Sequence, residues 1–307
     1  MITSIFSKSK PINFLIVFFI SLLAFFVAIL KFDETELSAG YIVKLNLVFL
    51  SCYFSILITD FIVSKNYLSQ KSNYEVFFFS LFLLLFPKVF LQIDIILANL
   101  FLLLALRRLL SLRSQKEFIK KLYDASFLIG IATLFYFWSI LFVFIIFVTL
   151  FFHSKNKIEH WFVPILGLLT VGIVGSACSV IFNNDFFSIL NISSEVGFDY
   201  SHYNSAQFIA SITLLFSFGI WSSVYYLQSI KKKKKVLRAT YKIVFATSCI
   251  AFLVILLSPV KDGSEFLFLF APLAIIITNY AEMIKEKWFK EIFILLIVIT
   301  PFILLML

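Results

Sequence analysis

An acidic stretch, Asp33-Glu34-Thr35-Glu36, follows the first long apolar run of the chain, and an isolated cation opens Lys261-Asp262-Gly263-Ser264-Glu265 just ahead of another. A carboxylate next to a membrane surface can take a proton from an acceptor hydroxyl, and a cation on the same surface can pair with a phosphate. Asp33 is the first candidate base and Glu34 the second. Lys261 and Glu265 are candidates on the phosphate side, with an internal salt bridge from Lys261 to Asp262 or Glu265 as the structural alternative. Lys88 and Asp94 form either a local ion pair or one wall of a polar cavity. His202, in Asp199-Tyr200-Ser201-His202-Tyr203, is the remaining titratable candidate, weighed against an ordinary solvated loop histidine. Asp60, near the inner end of the second span, reads as a snorkelling or capping group and not as an ion ligand.

Other chemistries find no support. There is no nucleotide-binding glycine loop, no HExxH and no GxSxG, so ATP-driven work and zinc or serine hydrolysis are not expected. Cys52, Cys178 and Cys249 lie in three separate apolar runs without ligand spacing and read as small packing residues. Three histidines are too few for a four-histidine iron centre. The sequence calls for no metal and no cofactor.

The elements that must position these residues are membrane helices. Of 307 residues, 62% are hydrophobic, against about 45–50% in soluble chains, and the mean hydropathy is +1.03. The net charge of +9 does not indicate nucleic acid, because the basic residues sit in short clusters between apolar runs. Lys and Arg mark the cytoplasmic ends of spans. All 26 except Lys31, Lys44, Lys88 and Lys261 fall in segments that one consistent topology places inside.

That topology has a cytoplasmic N-terminus, no cleavable signal peptide and about 11 spans in a single integral membrane domain, residues 1–307. Spans 13–30 and 41–64 come first, followed by a hairpin over 74–106 whose tip carries Pro87-Lys88 and Gln92-Ile93-Asp94. A second hairpin, tipped at Phe137-Trp138-Ser139, is required by parity. Basic clusters flank it on both sides (Arg107 to Lys121, then Lys155 and Lys157), so the apolar block 125–152 must return to the face it left. Its 28 residues fall short of two full spans at about 20 each. The first arm therefore begins within amphipathic 118–124, and the tip must be buried in protein or line a watery cavity. Spans 161–182, 208–227, 243–257, 266–281 and 292–307 complete an all-α polytopic bundle. Gly167, Gly172 and Gly175 give the first of these five a small-residue face for close packing.

Gly130-Ile131-Ala132-Thr133-Leu134-Phe135-Tyr136-Phe137-Trp138, leading through an apolar arm and basic residues to Trp161, resembles the matching region of GT-C membrane glycosyltransferases. The segment from Lys261 to Pro272-Leu273-Ala274 is similar to their late outer loop. The resemblance covers about two-thirds of the chain in pattern and implies a GT-C-like fold. It also implies a polyprenyl-phosphate-linked sugar as ligand, a base at Asp33 or Glu34, and contact of Lys261 with the donor phosphate. Two features depart from the family: the first outer loop lacks an Asp-x-Asp pair, and no arginine stands near Phe266. The whole chain also resembles a family of Bacteroidota multi-pass inner-membrane proteins, which implies a location and no activity.

Two functions stay open. One is a GT-C-like inner-membrane protein handling a polyprenyl-phosphate-linked sugar at the periplasmic face, with glycosyl transfer if Asp33 acts as base. The other is a non-catalytic scaffold or lipid carrier in a cell-envelope assembly, with membrane lipids and envelope proteins as partners. A transporter would predict charged residues near mid-membrane, and the hydropathy pattern shows none.

Overall fold

The computed structural model describes residues 2–33, 38–70, 72–153, 158–186, 196–259 and 261–306. Within them the chain is helical, with no strand. A short α1 (Ile2–Phe6) precedes α2 (Pro11–Phe32) and α3 (Ala39–Asn66). Proline at the first position of α2 costs no hydrogen bond, and the Ser38 hydroxyl caps α3 by accepting from Tyr41 N at 3.2 Å.

The two expected hairpins are present as broken helices. α4 (Tyr74–Leu85) stops before Pro87, whose ring disfavours helix at the preceding residue. A 3-10 segment, Pro87–Leu91, then turns the chain into α5 (Ile93–Ser111). α6 (Phe118–Phe135) turns through the 3-10 segment Phe137–Phe142 into α7 (Val143–His153). The long helices α8 (Glu159–Asn183), α9 (Ala206–Ile230), α10 (Lys235–Leu257), α11 (Leu267–Met283) and α12 (Lys287–Met306) follow.

Among the described residues, eight helices are long and apolar enough to cross a membrane by length and composition, where the charge pattern predicts 11 spans. The remaining arms are α4 and α7, which are too short, and α6, which carries Lys120, Lys121 and Asp124 in its 18 residues.

The bundle is organised around α4 and α11, whose faces are buried all round: every residue of α4 is inaccessible, and Phe79 and Phe82 pack on Phe270. A helix apolar on every side and buried on every side belongs at a centre. By contrast α2, α8, α9 and α12 bury only 22–28% of their apolar windows and form the outer shell. The expected close packing of α8 is found against α6, where a side chain at Gly167 would meet the backbone of Phe127 and the Ser126 hydroxyl. Gly172 faces open space and takes no part in that contact.

Candidate functional site at the hairpin-tip end

The tips of both hairpins meet the segment between α10 and α11 at one end of the bundle. Gln92 Nε2 donates to Asp262 at 3.0 Å, and Phe86 stacks on Phe266 with ring centres 4.7 Å apart. From the second tip, the Tyr136 hydroxyl donates to Ser258 Oγ at 2.6 Å. Asp262 folds its own loop by accepting from Ser264 N at 3.0 Å and from the Ser264 hydroxyl. Gly263 takes φ +92°, a left-handed conformation that suits glycine, with Phe208 directly against it.

Glu265 is fully buried here. Its carboxylate accepts from the Tyr203 hydroxyl and, at 2.9 Å, from Gly263 N. Burial, then the Glu265 carboxylate, keeps the Tyr203 hydroxyl protonated well above its ordinary value of 10. The unfolded chain releases that proton near pH 10, so this contribution to stability is complete below pH 10 and declines as pH rises past it. The melting temperature is therefore expected to fall between pH 9 and pH 11, and to fall less in Tyr203→Phe. That variant should begin about 1–2 kcal/mol less stable for loss of the hydrogen bond. An equal alkaline slope in both proteins would remove Tyr203 as the cause.

Lys261 is neither a surface cation nor a partner of Asp262. At 2% exposure its Nζ donates to Ile255 O (2.6 Å) and Leu256 O (2.8 Å), and lies 4.9 Å from the Tyr200 ring centre. It closes the C-terminal end of α10, where carbonyls lack helical donors. A lysine side chain is long enough to fold back onto the turn before it, an option that residue spacing does not reveal.

Lys88 pairs with rings in place of Asp94. Its Nζ sits 5.1 Å from the centre of the Phe32 ring and 5.6 Å from that of Phe208. Asp94 is exposed in the first turn of α5, and His202 is exposed in the 3-10 segment Ser201–Tyr203. The Asp33 carboxylate accepts from the Tyr41 hydroxyl at the end of α2. Glu34 lies outside the described residues.

Lys88 and Lys31 line a cavity of about 40 Å³ with Phe32, Gln207, Phe208 and Ser211, floored by Leu84, Leu85, Leu304 and Leu305. That is room for a few water molecules, so a larger group would have to part the walls to enter. Lys31 Nζ also donates to Leu305 O at 2.7 Å, and Gln207 Nε2 to Leu304 O at 3.1 Å. Among the described residues no carboxylate lines the cavity, so these walls suit an anion attached to an apolar body. Asp33 is one residue beyond its Phe32 wall, whereas Lys261 is not among the lining residues. Sequence reading singled out Lys88 and missed Lys31, Gln207 and Tyr203. The available signal was that Lys31 and Lys88 are two of only four basic residues outside the basic clusters.

Among the described residues no group of three or more His, Cys, Asp or Glu side chains is placed to hold a metal ion.

A family match covers residues 1–306. The chain belongs to the DUF6427 family. The family is described as one of unknown function, and its match runs through both hairpins and the tip-end cavity alike. No curated protein and no solved structure matches the chain.

Proposed function

We propose that this DUF6427 member is a lipid-phosphate-handling protein of the bacterial inner membrane. On this reading the cavity at the hairpin tips receives the phosphate of a polyprenyl-phosphate-linked sugar. The observation that carries the reading is the pair of ammonium groups, Lys31 and Lys88, on a cavity with apolar walls and no carboxylate among its described lining residues. A phosphate would sit between the two cations while its hydrocarbon chain leaves along the leucine floor toward lipid. The topology that goes with this has a cytoplasmic N-terminus, 11 spans counting both hairpins, a GT-C-like plan and the cavity on the periplasmic side.

The test is binding of a polyprenyl phosphate to the purified chain in detergent, followed by native mass spectrometry. Lys88→Ala and Lys31→Ala are each expected to weaken binding about tenfold, roughly 1.4 kcal/mol, with no change for a zwitterionic phospholipid. Equal binding by wild type and the double variant would overturn the reading.

Glycosyl transfer is the second reading, favoured by the position of Asp33 next to the cavity wall at Phe32. There Asp33→Asn should abolish turnover of a lipid-linked sugar, by about 10²-fold or more, while leaving lipid binding intact. Binding without turnover in the wild type would leave a lipid carrier within an envelope assembly.

A further inference from the structure

The opposite end of the bundle buries acidic groups that the lipid-phosphate reading does not use. Glu75, in the first turn of α4, is 1% exposed, and the carboxyl group of Asp60 on α3 lies beside its own. Asp60 also accepts from Asn73 Nδ2 at 3.2 Å. Two carboxyl groups side by side away from water favour holding one proton between them, because like charges repel. Asn73 is fully buried, yet its carbonyl oxygen Oδ1 has no partner, and neither has the second oxygen of Glu75, Oε2. Such atoms are rare inside proteins because a buried acceptor without a donor is costly.

The charges acting on Glu75 are the carboxylates of Asp60 and, on α11, Glu282. Glu282 has its own company. It accepts from Gln70 N at 2.8 Å and from the Ser72 hydroxyl, and it is faced by the ammonium groups of Lys233 and Lys290. The Asp60–Glu75 pair is therefore an acidic, oxygen-rich cluster, and the charge nearest to it, Glu282, is negative and itself offset by Lys233 and Lys290. Ionisable groups buried among membrane helices mark ion or proton sites more often than packing.

We infer that Asp60, Asn73 and Glu75 form a binding site for one small monovalent cation: a proton shared by the two carboxyl groups, or a sodium ion that displaces it. In the exchange the sodium ion takes carboxylate oxygens of Asp60 and Glu75 and the free Asn73 Oδ1, and one proton leaves to water. The site keeps the same net charge in both states, so the exchange does not add an uncompensated charge to the apolar core. The inference stands apart from the tip-end cavity and does not depend on it.

The experiment treats the full chain in detergent with dicyclohexylcarbodiimide, which modifies protonated carboxyl groups in apolar surroundings, and maps the adduct by mass spectrometry. Melting temperatures are recorded in parallel in NaCl and in choline chloride of equal ionic strength. An adduct on Glu75 or Asp60 that fades with rising pH and ignores NaCl assigns the proton. Suppression of the adduct by NaCl, or a rise in melting temperature of about 3 °C in NaCl over choline chloride, assigns sodium, provided that Glu75→Gln abolishes it. Should Glu75→Gln yield no monodisperse protein, Asp60→Asn takes its place. No adduct at either residue, or one confined to Glu282, together with equal melting in both salts, would overturn the inference.

Discussion

Replacing Gly167 by leucine is expected to lower the melting temperature in detergent by about 5 °C or more, about 3 kcal/mol or above. A Cβ built at this position comes within 2.0 Å of Ser126 Oγ and 3.0 Å of Phe127 N. The hydroxyl can rotate away, but the backbone of α6 cannot move without the helix moving. Lipid supplies no hydrophobic drive to hold helices together, so close contact at small residues carries much of the α6–α8 association. Gly172→Leu is the control. Five residues along the same helix, its Cβ meets nothing within 4 Å, and the expected change is within about 0.5 kcal/mol. Equal behaviour of the two variants would mean that the α6–α8 contact is not what Gly167 serves.

Lys261→Met is expected to cost about 2–4 kcal/mol, seen as a melting temperature lower by roughly 3–6 °C. Methionine keeps the length and apolar stem of lysine and removes only the ammonium group. Leu256 O would keep the Tyr200 hydroxyl, which donates to it at 3.3 Å. Ile255 O would be left without the lysine, near the C-terminal end of a helix where a cation is favoured. Lys261→Arg should recover part of the loss. A role in gripping a ligand phosphate predicts the opposite pattern: Lys261→Met would leave stability unchanged and weaken lipid binding. The melting and binding measurements on one variant therefore separate the two roles.

The corrections among the candidate residues share a cause. Their immediate neighbours in the chain make Lys261 and Glu265 candidates for a ligand phosphate or for a salt bridge to each other, and Asp60 a snorkelling or capping group. In the folded chain Glu265 bonds Tyr203, 62 residues away. Asp60 bonds Asn73 across the α3–α4 turn, which lifts it out of a snorkelling role. Glu282, assigned no role in the sequence, holds Gln70, 212 residues away. None of these pairings has a signature in local spacing.

What the sequence by itself determined is the segmentation. Apolar runs of membrane length, basic clusters, the break at Pro87 and the polar interruption at Phe137-Trp138-Ser139 are local features, and the helices and both 3-10 turns fall where those features lie. What only the tertiary structure decided is which helices are central and where each charged group finds its partner. Hydropathy cannot separate α4, buried on every side, from α2, largely exposed in the bundle, because lipid and protein interior favour the same side chains. For the same reason Glu75, at the head of the 74–106 hairpin, has no partner that the sequence shows until α3 and α11 close around it, and Lys31 and Lys88 become one site only when α2 meets the first hairpin tip.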